Sequence, residues 1–425
     1  MFVRQDHLDF DGGPGADISD EVTWFLTPNH PSRGRIRVDP YPFYDRLRSH
    51  DPVYRSEIGP WIVTSYDAVL GLLQDPLLSR DIERAWKAAA GSDDVEFRPA
   101  QRLIRSGMLW RDPPDHTRLR RLVHRSFTQS AIAKWDSRID QIARRLLNEL
   151  RGRDEFDLLH DFAMRLPGIV ICEMVGMPLD RLDDYEDWAL ATIEIQEPHQ
   201  SEEVLRHADA GALACLAYFD ELIEQKRRHP GDDVISALLK ADEDEDVKIT
   251  YDEIVGMCIL LHVAGHETTS NVVTNGMYLL SQHPEQYALL RADPSLVPSA
   301  VEEMLRYEGS GRNTMPRWAL DDTRVGDKDV PAGDQVIGVF GAAHRDPRAF
   351  RDPHRFDIAR ADNPHVAFGF GIHFCLGARL ARVEAQTALR LLVTDYPALR
   401  LASDDFTWRD SVVLRALDRL PVAWA

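Results

Sequence analysis

The chain is poor in cysteine, with four in 425 residues, at Cys172, Cys215, Cys258 and Cys375. Spaced so widely, they form no disulfide framework, which fits a reducing compartment. Long apolar runs are also missing, and none approaches the roughly 20 residues that cross a bilayer. Positive charge is in deficit: 50 Lys and Arg stand against 70 Asp and Glu, a formal net charge of −20. That balance argues against general affinity for nucleic acid or acidic membranes. The first residues, Met1-Phe2-Val3-Arg4-Gln5-Asp6, are polar and acidic without an apolar signal region. A cytoplasmic protein with no nucleic-acid or membrane partner is therefore expected. No Gly/Ser/Pro-rich linker divides the chain, and its 44% hydrophobic content is enough for one large core.

What is present is organised around Phe368-Gly369-Phe370-Gly371-Ile372-His373-Phe374-Cys375-Leu376-Gly377-Ala378-Arg379. Helix-forming residues follow at once, so Cys375 sits just before a helix N-terminus. Backbone N–H groups there offer the positive partial charge that a thiolate needs. Gly371 and Gly377 can bend the chain so that those groups point at sulfur. Such a sulfur can serve as a nucleophile, a zinc ligand or the axial ligand of a haem. Structural zinc takes about four protein ligands, and no second cysteine lies nearby. A nucleophile needs a positioned base, and His373 two residues away does not establish one. A haem needs one thiolate, an apolar wall such as Phe368, Phe370 and Phe374, and cations for its carboxylates. The plain alternative, a buried free thiol, is the reading for Cys172, Cys215 and Cys258.

The pattern Phe368-x-x-Gly371-x-His373-x-Cys375-x-Gly377 resembles the haem-binding signature of the cytochrome P450 haem-thiolate monooxygenases. The resemblance implies a mainly α, single large fold with a smaller β-rich region near the N-terminus. Residues 36–425 would form one catalytic domain and residues 1–35 a loose arm. Cys375 would ligate the iron of haem b, with Phe368, Gly371, His373 and Gly377 around it.

Other stretches follow in the family's order. Asp112-Pro113-Pro114-Asp115 starts a helix on which His116 and Arg120, four apart, share a face. Alone they read as a solvated basic face; the resemblance makes them partners of the haem propionates, with Arg317 as a third. Thr250-x-x-Glu253 is a capping box opening a helix that runs to about Gln282. Its middle, Ala264-Gly265-His266-Glu267-Thr268-Thr269, is poor helix chemistry. The resemblance implies a helix that opens there for dioxygen, with Ala264 and Gly265 beside the haem. Glu267 would relay protons and Thr268 would hydrogen-bond the dioxygen. Glu303 and Arg306, with Arg355, match the family's buried ionic lock, a structural role. Gly309-Ser310-Gly311-Arg312-Asn313 departs from many relatives, and Arg312 or Asn313 is a candidate contact for a polar substrate group.

Elsewhere, Val53–Ser56 and Trp61–Thr64 read as a hairpin, Tyr66–Leu73 as a helix and 128–240 as a run of helices. Residues 80–107 read as an irregular stretch and 241–246 as a solvated charge run; the resemblance makes the first a loop facing the substrate and implies a lid at 184–202. With the segments 309–316 and 411–417, the loop and lid would set specificity. The activity implied is monooxygenation: dioxygen and two electrons used to hydroxylate or epoxidise a small organic molecule, in secondary metabolism. Electrons would come from NAD(P)H through a ferredoxin and its reductase, or a flavodoxin-type donor. Oxidative C–C or C–O coupling is the alternative on the same scaffold. A haem-binding sensor fits less well, because it needs no Glu267–Thr268 pair.

Overall fold

Thr250 Oγ accepts the Glu253 N–H at 3.2 Å, while the Glu253 carboxylate accepts the Thr250 N–H at 2.8 Å. This box starts the 32-residue helix Tyr251–Gln282, which stops at His283 before Pro284. At 1.5 Å per residue it is roughly 48 Å long. It is buried on every side, so its apolar residues do not gather into one stripe. Pro99–Ser106, Arg165–Val175, Val297–Glu308 and Ala378–Thr394 pack around it. A side chain at Gly256 would put its Cβ 2.8 Å from that of Ser106, so glycine permits the crossing with Pro99–Ser106. The computed structural model describes residues 17–196, 201–242, 249–396 and 398–425. The first sixteen residues of the expected arm, part of the lid and most of the charge run lie outside these.

The β-rich part is a five-stranded sheet in the order Val53–Arg55, Trp61–Val63, Gln335–Gly338, Arg317–Ala319, Leu78–Ser79. The expected hairpin is present, with Val53 opposite Val63. Trp61–Val63 then pairs in parallel with Gln335–Gly338, so the sheet is built from both halves of the chain. A three-stranded sheet joins Glu155–Asp157, Pro421–Trp424 and Leu399–Leu401.

Two expectations are corrected. Residues 17–35 are not a loose cover: Asp17 caps the helix Ile18–Leu26, whose Val22, Phe25 and Leu26 bury against Phe43, Tyr44 and Leu47. Residues 80–107 are not irregular either. They carry the helices Ile82–Ala90 and Pro99–Ser106, and the second buries Ala100, Leu103 and Ile104.

Candidate active site

Gly369 and Gly371 have φ of 70° and 73°, the left-handed region that glycine occupies without a steric cost. At Gly371 a Cβ would also lie 3.0 Å from the Leu73 carbonyl oxygen. After the short turn Gly371–His373, the Cys375 N–H donates to the Phe368 carbonyl at 2.9 Å. The helix Ala378–Thr394 begins three residues later. Enclosure pushes the Cys375 thiol up, whereas the N–H groups of Gly377 and Ala378 and the charges of Arg120 and Arg382 pull it down. Enclosure wins for the bare thiol, so a cation at sulfur is what would secure the thiolate. Gly377 does not bend the chain as the sequence suggested. Its φ is an ordinary −85°, and a Cβ there would meet nothing within 4 Å. It contributes an N–H to sulfur and leaves open space beside it.

Cys375 lines a cavity of about 320 Å³ whose opposite wall is the Ala264, Gly265 and Thr268 face of the long helix. Its sides are largely apolar, including Met108, Leu260, Val272, Phe340, Phe368 and Leu414. One rim is different. Arg80, His116, Arg120, Arg317 and His373 converge there, with the His116 and His373 rings 4.3 Å apart. Arg120 donates to the Phe374 carbonyl at 2.7 Å and Arg317 to that of Leu78 at 2.9 Å. Among the described residues, neither ring nitrogen of the buried His116 has a partner, nor do Nε and Nη2 of the buried Arg80.

The electrostatics agree. Burial, with Arg120 and Arg80 nearby, takes His116 down to about 4. Burial and Arg317 take Arg80 down to about 9, and burial alone dominates in lowering Arg317 to about 10. His373 is depressed by burial and by Arg80, His116, Arg317 and Arg120. Orphaned buried donors are costly, and an anion would complete this rim. A flat apolar group with two carboxylates and one thiolate-seeking metal fits the space, the rim and the sulfur together.

On the opposite wall the helix does not open. It is α-helical throughout Tyr251–Gln282, and the Thr268 hydroxyl donates back to the Ala264 carbonyl at 2.6 Å. That bond supplies the awkward sequence with a local partner and keeps the turn closed. Glu267 lies on another face, buried, and is ion-paired with Arg409.

The lock also differs from the expectation. Glu303 accepts from Arg306 Nε and Nη2, both at 2.8 Å, and from the Asp357 N–H at 2.9 Å. The second cation is Arg360, with Nε at 3.1 Å from Glu303 Oε2. Arg355 is not a member: its guanidinium is 66% exposed and 3.9 Å from Asp357. Only its carbonyl takes part, accepting from Arg306 and Arg360. Arg312 is corrected as well. It is buried outside the cavity wall, donates to the Ser411 carbonyl at 3.0 Å and lies near Tyr44. Asn313 does line the cavity, with Nδ2 held by the Val412 carbonyl at 2.9 Å. Sequence reasoning missed Arg80, Arg360 and Arg409, whose partners lie far along the chain and leave no periodic signal.

A family profile described as Cytochrome P450 matches residues 214–399. Cytochrome P450 107B1 of Saccharopolyspora erythraea is 42% identical, over 89% of this chain and 93% of its own length. Cytochrome P450 monooxygenase PikC of Streptomyces venezuelae is 38% identical, over 91% of each. Among solved structures, the tirandamycin C-bound P450 monooxygenase TamI superposes with a TM-score of 0.82 at 40% identity, covering 92% of this chain and 98% of that one. The described residues include no helix long and apolar enough to cross a membrane. The chain belongs to the cytochrome P450 family and is a monooxygenase, an enzyme of haem iron, dioxygen and electrons delivered by a redox partner.

Proposed function

We propose that this protein hydroxylates a small, largely apolar organic substrate in secondary metabolism, using haem b held by Cys375. The observation that carries this reading is the Cys375 sulfur at the base of a cavity whose one charged rim is short of anions. Haem, when bound, supplies the redox chemistry that activates dioxygen. Everything else falls to the chain. Gly377 and Ala378 donate N–H groups toward the sulfur. His116, Arg120, Arg317 and His373, joined by Arg80, hold the propionates. Phe368 and the long-helix face of Ala264 and Gly265 enclose the macrocycle.

Thr268 holds its hydroxyl proton against the Ala264 carbonyl and can turn it toward a ligand in the cavity. Glu267 brings a carboxylate one residue away, restrained by Arg409, and its place is to pass protons inward from that side. The apolar lining excludes water and sets the substrate class, while Asn313 and Ser310 offer polar contacts at one end. Residues 17–425 act as a single catalytic domain, since Ile18–Leu26 packs into the body that holds the sheet. Electrons come from NAD(P)H by way of a ferredoxin with its reductase, or a flavodoxin-type donor.

The test is the carbon monoxide difference spectrum of the dithionite-reduced protein. A strongly red-shifted Soret band is expected in the wild type and its loss in Cys375→Ala; an unshifted band in wild type would refute thiolate ligation. Turnover under labelled dioxygen then distinguishes insertion, which puts label in the product, from oxidative coupling, which does not.

A further inference from the structure

Adjacent glutamates in Val297–Glu308 are divided between two tasks. Glu303 belongs to the buried lock with Arg306 and Arg360. Glu302 turns to a different pair of partners, Arg382 and His365. Its Oε1 accepts from Arg382 Nε at 2.7 Å, and its Oε2 accepts from Arg382 Nη2 at 2.8 Å. His365 Nε2 lies 2.9 Å from the same Oε2. His365 Nδ1 accepts the Ala367 N–H at 3.3 Å, so the ring proton sits on Nε2 and is donated to Glu302.

Three elements meet in this cluster: the helix of Glu302, the segment 365–368, and the helix that begins after Cys375. None of these three side chains lines the cavity. They sit behind Phe368, with the Arg382 guanidinium carbon 4.3 Å from the centre of its ring. The carbonyl of Phe368 in turn accepts the Cys375 N–H at 2.9 Å. A cation is thus fixed, by a bidentate pair and an aromatic face, against the Phe368 ring of the sulfur's own loop. Arg382 is among the charges that act on that sulfur.

Resting on the haem-thiolate reading above, we propose that this cluster sets the electron density of the Cys375 thiolate. Arg382 draws density away from sulfur, and Glu302, held in register by His365, limits that effect. Arg382, Glu302 and His365 are positioning residues, acting on the iron only through Cys375. The sign follows from charge. Positive potential at the thiolate favours the reduced iron, which carries one more negative charge, and negative potential favours the oxidised iron.

The experiment is spectroelectrochemical titration of the haem-loaded wild type, Arg382→Gln, Arg382→Lys and Glu302→Gln, each with its carbon monoxide spectrum. The reduction potential falls in Arg382→Gln, rises in Glu302→Gln and stays near wild type in Arg382→Lys, with the red-shifted band kept in all four. Shifts of the same sign, no shift, or loss of that band in both Gln variants would mean a merely structural clamp and overturn the proposal alone. A wild type without the band would overturn both this proposal and the haem-thiolate reading.

Discussion

Among the described residues, two groups of buried arginines, the lock and the cavity rim, are finished to different degrees. In the lock, Arg306 is almost wholly buried, yet its guanidinium meets two carboxylate oxygens and the carbonyls of His344, Pro353 and Arg355. At the cavity rim, Arg80 is nearly as buried but has two nitrogens without partners, and His116 beside it has two more. Burying polar groups is tolerated only when their hydrogen bonds are made. The first cluster therefore belongs to the fold, complete as it stands. The second is built for something the chain does not itself provide.

The sharpest way to break this contrast is to damage the finished cluster. Arg306→Leu leaves Glu303 with a single cation in the interior, and loss of one partner of a buried pair costs about 3–5 kcal/mol. Urea unfolding of the variant is expected to show that loss, or the protein to be recovered unfolded. A cost under about 1 kcal/mol would place the lock with ordinary surface pairs.

Buried histidines form a third category, tolerated only while neutral. His262 and His266 stack in parallel on the long helix, 5.4 Å apart, away from the cavity. Burial holds His262 at about 3 and His266 at about 4, against an ordinary 6.5. The unfolded chain binds those protons first as pH falls, so the stability they permit is intact above pH 6.5 and is lost from there toward pH 4. Two such groups give a slope of up to about 2.7 kcal/mol per pH unit. Urea midpoints at pH 7, 6 and 5 check this, and the double variant His262→Phe with His266→Leu should lessen the slope, leaving the part carried by His116 and His373. An unchanged slope would mean that other groups carry the acid response.

The unfinished cluster should respond in the opposite sense to the lock. Arg80→Met removes a buried charge that Asp112 and the Trp110 ring only partly offset, so the haem-free protein should be no less stable, within about 1 kcal/mol. Haem should then leave several-fold faster, read by its transfer to excess apomyoglobin. A variant that unfolds like Arg306→Leu would show that Arg80 is a structural residue after all.

What the sequence made legible follows the same division. Local chemistry was readable: Thr250 and Glu253 mark the helix start within four residues, and the glycines around Cys375 mark the turn and helix that hold its sulfur. His116 and Arg120 could be placed on one face from their spacing alone. Long-range chemistry was not readable. Arg409 reaches Glu267 across 142 positions, and Leu78–Ser79 is a strand only because Trp318 and Ala319 lie beside it. Arg312 was misread for a related reason, since sequence gives the position of a residue on a segment but not the side of the wall it faces.

The smallest expected effect tests the lock's own membership. Arg355, which the resemblance named as the third member, and Arg360 lie five residues apart. In the fold, Arg360 is mostly buried with Nε on Glu303, while the Arg355 side chain extends into solvent. Arg360→Ala withdraws one of the two cations from a fully buried carboxylate, at a cost of about 1–3 kcal/mol. Arg355→Ala keeps the carbonyl that Arg306 and Arg360 use, because a backbone group survives the substitution, and should stay within about 0.5 kcal/mol of wild type. Paired urea titrations decide it. If Arg355→Ala cost as much as Arg360→Ala, the lock would extend to that side chain, and the line between finished interior and ordinary surface would have to be redrawn there.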